Sequence, residues 1–300
     1  MIEKITIIGA GTMGRGLANL FTQNNVSVNI IDSSERALEQ LRLVFPSQTA
    51  QQTISFSQKM DTACDSDLVI EAVPEILDIK QSVFRKIEHH CSPKALIATN
   101  TSGLSISKIA SVLDYPERAL GTHFFMPADI MPLVEVVKGN KTTHETADRV
   151  IRFLTRIGKK PVLIERDVPG FVANRIQHAL AREAIALLEA GVASAEDIDT
   201  VVRYSIGPRL AVSGPLEQRD LNGLDVHYAI ACYLYPELEN RTTPSDLLAE
   251  KVKKGMLGLK SGTGFYQWPE KTSEIRQQKN NQLLRLLNWI NQEEQGGKNV

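Results

Sequence analysis

The stretch Lys4-Ile5-Thr6-Ile7-Ile8-Gly9-Ala10-Gly11-Thr12-Met13-Gly14 decides the fold. Its apolar first half reads as a buried strand, and residues 13–24 carry helical spacing. Between them stands Gly-x-Gly-x-x-Gly. Gly9 permits the tight turn, Gly11 lets a pyrophosphate approach the backbone, and Gly14 lets helix and strand pack closely. Thr12 and Met13 open the helix, whose N-terminus offers unpaired N–H groups and the positive dipole end to phosphates. A second strand at 26–31 runs into Asp32, 18 residues past Gly14. A carboxylate there accepts hydrogen bonds from ribose hydroxyls and repels a 2′-phosphate. Ser33 and Ser34 follow without an arginine, so the expected cofactor is NAD rather than NADP.

Outward from this unit the alternation continues. Strands are expected at 54–57, 68–73, 95–99, 120–125, 133–137 and 161–164. Helices are expected at 34–44, 79–89, 105–113 and 144–157. This pattern predicts an α/β, Rossmann-type doubly wound sheet. From Pro169 onward the periodicity is helical. A long helix over 171–189 ends at Gly191, and Ser194-Ala195-Glu196-Asp197 resembles a capping box opening a helix to about 205. Further helices are expected at 224–234, 244–254 and 274–293. The expected organisation is an NAD-binding domain over 1–167 and an all-α C-terminal domain over 168–300.

Composition narrows the function classes. The 300 residues are 42% hydrophobic and 23% charged, enough to build cores for two domains. Lys plus Arg is 34 against 35 Asp plus Glu, a net charge of -1 without the basic excess of a nucleic-acid partner. No stretch approaches the ~20 apolar residues of a membrane span. The apolar N-terminal run is too short for a signal peptide and is interrupted by Glu3 and Lys4. Cys64, Cys91 and Cys232 form no paired motif and are expected to be buried thiols in a reducing cytoplasm. His89, His90, His144, His178 and His227 lack metal-ligand spacing, so no metal is expected.

Further motifs follow in one order: Glu71-Ala72-Val73-Pro74-Glu75, Asn100-Thr101-Ser102, His123-Phe124-Phe125, Leu133-Val134-Glu135-Val136, Asp167-Val168-Pro169-Gly170-Phe171, Asn174-Arg175 and Gly214-Pro215-Leu216. Together with Gly9–Gly14 they resemble the L-3-hydroxyacyl-CoA dehydrogenase family, from residue 1 to about Trp268. That family also includes dehydrogenases of free hydroxy acids such as carnitine and gulonate. The resemblance implies an NAD-dependent oxidoreductase of fatty acid metabolism, a small hydroxy acid or acyl-CoA substrate, and a homodimer through the helical domain. It matches His123 to the base that takes the hydroxyl proton and Glu135 to the carboxylate that orients it. Ser102 and Asn174 match groups that bind the reacting oxygen. Glu75, Lys80 and Asn100 match positions near the nicotinamide half. The chemistry agrees: a carboxylate flanked by Val134 and Val136 is costly to bury unless paired.

Two departures stand out. The family's histidine motif commonly reads HFFNP, whereas Met126 stands here in place of the Asn. Acyl-CoA members also carry a long basic helical hairpin after the second strand. Only 38 residues separate Asp32 from Glu71 here, with Arg36, Arg42 and Lys59 as their basic members. A free hydroxy acid is therefore at least as good a candidate substrate as a thioester. Its carboxylate would need a cation, from among Arg175, Arg182, Arg203, Arg209 and Arg219. Two alternatives stand beside this reading. The β-hydroxyacid dehydrogenase family shares the glycine motif but uses a lysine early in its helical domain, and residues 170–175 have none. A nucleotide-binding protein without turnover is the other.

Overall fold

The computed structural model describes residues 1–46, 53–270 and 272–296. Part of the polar segment beginning at Pro46 thus lies outside the described residues. The chain divides into two compact units, Met1–Ile176 and Gln177–Val300.

The first unit is built on one eight-stranded sheet in the order β3-β2-β1-β4-β5-β6-β7-β8. The strands are β1 (Lys4–Ile8), β2 (Ser27–Ile31), β3 (Ile54–Ser57), β4 (Leu68–Glu71), β5 (Leu96–Thr99), β6 (Ala119–Phe124), β7 (Leu133–Lys138) and β8 (Lys160–Ile164). The first six pair in parallel, β7 returns antiparallel to β6, and β8 runs parallel to β7. The strand order reverses between β1 and β4, the place where doubly wound sheets bind ligands beyond their carboxyl ends. The expected doubly wound α/β fold with a helical second part is borne out.

Both faces of the sheet are covered, so its central strands read as apolar runs rather than alternating ones. Ile5 and Ile7 enter a core with α1 (Thr12–Gln23), α2 (Glu35–Val44) and α5 (His144–Arg156), whereas Ile8 enters the opposite core with α3 (Leu77–His90) and α4 (Ile106–Ala110). Phe21 of α1 is fully buried and stands edge-on to Phe124 of β6, 6.2 Å between ring centroids. That contact fixes the glycine-motif helix against the strand carrying His123. Burying such a ring contributes about 1.5–3 kcal/mol.

β4 ends at Glu71 rather than Val73, because the Val73 N–H donates to the Glu71 carboxylate instead of continuing the ladder. The first unit also extends past residue 167 to Ile176, since Phe171 is buried within it.

The second unit is helical: α6 (Ala173–Glu189, which begins in the first unit), α7 (Ala195–Val201), α8 (Gly207–Val212), α9 (Pro215–Asn222), α10 (Leu224–Leu234), α11 (Asp246–Lys253) and α12 (Thr272–Gly296). Gly191 has φ of 67°, the left-handed stop expected after the long helix. α8 and α9 lie between the helices expected to about 205 and at 224–234, where no element is expected from the sequence. Pro215 occupies the opening position of α9, where a missing N–H costs nothing, whereas Pro208 stands early in α8 within a helical run that has already begun. α7 continues through one π-helical turn, Val202–Ile206, into α8. Among the described residues of this unit only Gly264 is buried, and Tyr204, Leu216, Leu221 and Tyr228 are exposed. The cysteines are free; Cys91 is buried as expected, but Cys64 and Cys232 are exposed.

Candidate active site

Three glycines build the cradle at the β1–α1 turn, each by a different constraint. Gly9 has φ of 116°, and an added Cβ would stand 2.6 Å from the Ala72 carbonyl oxygen. At Gly14 a Cβ would stand 1.9 Å from the Gly9 carbonyl oxygen. At Gly11 a Cβ would meet nothing within 4 Å. The first two glycines serve backbone packing; the third keeps open space over the helix start. α1 begins at Thr12 with Gly11 as its N-cap, no side-chain cap and no acidic residue in its first turn. Its N–H groups therefore face that space without a competing anion, and these residues fit a dinucleotide pyrophosphate. Met13 packs half-buried against the core below.

Asp32 is held beside this turn. Its Oδ2 accepts from Ala10 N at 2.7 Å and its Oδ1 from Ser34 N at 2.8 Å. Ser34, not Asp32, caps α2. The carboxylate thus stands beside the glycine turn, as recognition of ribose hydroxyls requires.

At the carboxyl ends of β4 and β5 lies a buried polar network. Lys80 Nζ donates to Glu71 Oε1 at 2.7 Å, both side chains being almost fully buried. Glu71 Oε1 also accepts from Val73 N, and Oε2 accepts from Thr99 Oγ1 at 2.7 Å. Lys80 reaches Glu75 Oε2 at 3.3 Å. Glu75 Oε1 in turn accepts from the Thr101 hydroxyl, Ser102 N and Gly103 N. Burial pushes the Glu75 carboxyl up, but Thr101, Lys80 and the Ser102 N–H outweigh it and hold it below the usual carboxylate range. Glu75 and Lys80 are site residues expected from the sequence, whereas the parts played by Glu71, Thr99 and Thr101 emerge only in the fold. The available signal was a carboxylate closing an apolar strand with a lysine nine residues on.

On the neighbouring hairpin His123 of β6 and Glu135 of β7 are directly paired across the strands. His123 Nδ1 lies 2.8 Å from Glu135 Oε2, and both residues are buried. Glu135 Oε1 accepts from Val172 N and Ala173 N, each at 3.0 Å. Burial pushes Glu135 up, but the His123 hydrogen bond and these two N–H groups outweigh it and hold it low. The His123 ring also lies 4.4 Å from that of Phe125 and 5.7 Å from that of Phe171.

Glu135 thereby seats the first turn of α6, which carries Asn174. Asn174 Nδ2 donates to the Ser102 carbonyl at 2.8 Å, joining that turn to the loop held by Glu75. Ser102 itself is exposed; the cap of α4 is Ser105. Asn100 Oδ1 accepts from Phe124 N at 3.0 Å and so braces the strand end beside His123. Every residue singled out for catalysis or cofactor lies in the first unit. Of the candidate arginines, Arg175 is exposed there and donates to the Pro169 carbonyl; the other four belong to the second unit. Met126 is exposed just past β6.

A family model described as 3-hydroxyacyl-CoA dehydrogenase, NAD binding domain, matches residues 4–168, and its C-terminal domain model matches residues 170–268. The chain is similar to the 5-formyl-3-hydroxy-2-methylpyridine 4-carboxylate 5-dehydrogenase of Mesorhizobium japonicum, 36% identical over 95% of this chain and 97% of that one. It is also similar to the probable 3-hydroxybutyryl-CoA dehydrogenase of Bacillus subtilis, 36% identical over 91% of this chain and 99% of that one. Among solved structures, a 5-formyl-3-hydroxy-2-methylpyridine 4-carboxylic acid 5-dehydrogenase, described as an NAD+-dependent dismutase, superposes with a TM-score of 0.90 at 34% identity. The match covers 97% of this chain and 99% of that one.

Proposed function

The chain belongs to the 3-hydroxyacyl-CoA dehydrogenase family, and from that premise we propose that it oxidises the hydroxyl-bearing carbon of a small hydroxy acid, taking the free acid in preference to its CoA thioester. It is an NAD-dependent oxidoreductase. The observation that carries the chemistry is the buried His123–Glu135 pair.

An ionised carboxylate only accepts, so His123 Nδ1 carries the ring proton toward Glu135 and Nε2 keeps its lone pair. His123 Nε2 takes the proton of the substrate hydroxyl, and Glu135 stabilises the imidazolium that forms. Bound NAD supplies the acceptor for the hydride leaving the same carbon. The Ser102 hydroxyl and the Asn174 amide hold the substrate oxygen, on which negative charge grows in the reverse direction. Gly9, Gly11, Thr12, Met13, Gly14 and Asp32 hold the nucleotide, with Glu75, Lys80 and Asn100 at the nicotinamide half.

Preference for a free acid rests on the short segment after β2. Between Asp32 and β3 the described residues form a single ten-residue helix, α2. Its Arg42 is engaged, bonded to Glu35 at 2.6 Å and lying over the Phe56 ring at 5.5 Å. A CoA nucleotide carries several phosphates that call for cations here. The Mesorhizobium relative is named for a formyl pyridine carboxylate, a free acid. A hydrated aldehyde presents the same H–C–O–H unit as a secondary alcohol, so one base serves both. The thioester is the second reading, supported by the name of the Bacillus relative.

NAD reduction measured on a paired panel tests this. One half is L-3-hydroxybutyryl-CoA and longer thioesters. The other half is L-3-hydroxybutyrate, L-carnitine, L-gulonate and aromatic hydroxymethyl and formyl carboxylates. Turnover of free acids that is lost in His123→Ala is expected. Turnover confined to thioesters would overturn the free-acid preference.

We further infer a homodimer joined through the helical unit. Its apolar side chains, among them Leu216, Leu221 and Tyr228, lie exposed in the single chain and need a partner face. A monomer mass by light scattering at micromolar concentration would overturn it. The three unpaired cysteines support a cytoplasmic site of action. No helix among the described residues is long and apolar enough to cross a membrane.

A further inference from the structure

The mechanism leaves one buried cation unused. Lys159, at the end of the turn before β8, is only 7% exposed. Its Nζ donates to the carbonyl oxygens of Ala128, at 2.7 Å, and Met131, at 2.8 Å. Among the described residues it forms no ion pair with a carboxylate. Burial pulls the ammonium down to about 8, with nearby Asp129 partly offsetting that. Lys159 therefore buries a charge in order to grip a loop rather than a counter-ion, and a buried charge without a partner is costly.

The gripped loop, residues 125–132, joins the strand of His123 to the strand of Glu135. It begins with Phe125, whose ring lies against His123. Its far side meets the glycine-motif helix. A Cβ on Gly16 of α1 would stand 3.2 Å from Ala128 Cβ, and Asn19 Nδ2 donates to Asp129 Oδ2 at 2.9 Å. The loop is thus pressed between the dinucleotide helix and Lys159. The direct strand pairing of His123 with Glu135 holds that couple together by itself. It does not set the distance from the couple to α1, which the Phe21–Phe124 contact and the loop set together.

We propose that Lys159 is a positioning residue for hydride transfer: by holding the Ala128 and Met131 carbonyls it seats the His123–Glu135 hairpin at its working distance from the dinucleotide helix. This holds whether the substrate is a free acid or a thioester, because the loop touches elements that serve both. Removing the donors leaves a buried carbonyl at Ala128 and a part-buried one at Met131 without their partner, and the loop reorganises to expose them.

The test compares Lys159→Met with Lys159→Arg, using any panel substrate that the wild type turns over. Methionine keeps the volume of the lysine stem without donors; arginine keeps the donors and charge at larger volume. We expect Lys159→Met to lower kcat tenfold or more. Its affinity for NADH, read by fluorescence titration, stays within threefold, because the glycine cradle is built without the loop. The acidic limb of its kcat/KM profile stays in place. Lys159→Arg recovers at least a third of the wild-type kcat. A packing role alone gives the reverse order, with Lys159→Met the more active variant, and overturns the proposal. So does a fall in NADH affinity as large as the fall in kcat. If Lys159→Met does not fold, Lys159→Gln carries the test, because its shorter amide still donates. A kcat threefold or more below wild type at unchanged NADH affinity supports the role, and wild-type kcat overturns it.

Discussion

His123 and Glu135 stand opposite each other on adjacent antiparallel strands, with 2.8 Å between Nδ1 and Oε2. The other oxygen of the same carboxylate takes the N–H groups of Val172 and Ala173. One side chain therefore orients the candidate base and seats the helix turn that presents Asn174. The arrangement makes Glu135 a junction between two parts of the site that are far apart in sequence.

Replacing Glu135 by Gln separates those two duties. The amide oxygen keeps an acceptor for Val172 and Ala173, so the start of α6 stays in place. The negative charge that stabilises the His123 imidazolium is lost. Glu135→Gln should lower kcat by about 10²- to 10⁴-fold, the usual range for general acid–base work. Steady-state NADH formation and a melting curve, measured side by side, check this; wild-type turnover would remove Glu135 from the mechanism.

The same carboxylate predicts an acid sensitivity. Its pKa in the fold lies below the ordinary 4.5, so the unfolded chain binds its proton more readily than the folded one. The contribution to stability is thus fully present above 4.5 and is lost as pH falls through the folded value. The gap in melting temperature between wild type and Glu135→Gln should narrow as pH drops from about 5 to about 3. A gap that widens on acidification contradicts the assignment.

Gly11→Ala and Gly14→Ala should behave oppositely. A methyl group at Gly14 collides with the Gly9 carbonyl, and no flexible side chain is there to yield. That variant should be destabilised by several kcal/mol, about 3 or more, as expected for forced overpacking. A methyl at Gly11 meets only open space, so its melting temperature should equal that of the wild type. Its affinity for NADH should fall about tenfold or more, about 1.4 kcal/mol. Calorimetric titration of both variants distinguishes the roles.

Lys80→Met should be among the most destabilising single substitutions. It leaves the Glu71 carboxylate buried with only hydroxyl and amide donors. Removing one member of such a pair costs about 3–5 kcal/mol. Urea unfolding reads it, and adding Glu71→Gln to the same chain should restore part of the loss. A single variant as stable as the wild type would show that the Lys80–Glu71 pair does not hold this part of the fold.

Lys159 gives a linkage of the same sign in a more alkaline window. Its folded pKa of about 8 lies below the ordinary 10.5, so the unfolded chain holds more protons between those values. Stability relative to Lys159→Met should therefore rise with pH across that window. Chemical denaturation at several pH values between about 7.5 and 10.5 checks it; a flat difference would show that the buried ammonium is not strained.

Local signals made much of the fold legible. The glycine spacing after an apolar strand, the acid ending β2 and the alternation up to residue 164 all depend on neighbours within a few turns. Where no element was expected, between 206 and 223, two short helices form, one continuing a π-helical turn and one opened by Pro215. The candidate site divides the same way. Residue type and order suggested His123 with Glu135 and Ser102 with Asn174, but not what holds them.

By itself, then, the sequence determined the strand–helix alternation, the cradle and its acid, and the kinds of side chain available for proton transfer. Only the tertiary structure decided that Glu71 pairs with Lys80 beneath the Glu75 loop, that Glu135 seats the turn carrying Asn174, and that Lys159 grips the loop between His123 and Glu135. These contacts join residues up to 38 positions apart. Their partners are set by strand order and register, which arise when the sheet assembles around its core. The spacing of residues along the chain carries no record of which carbonyl or carboxylate will come to lie beside a buried donor.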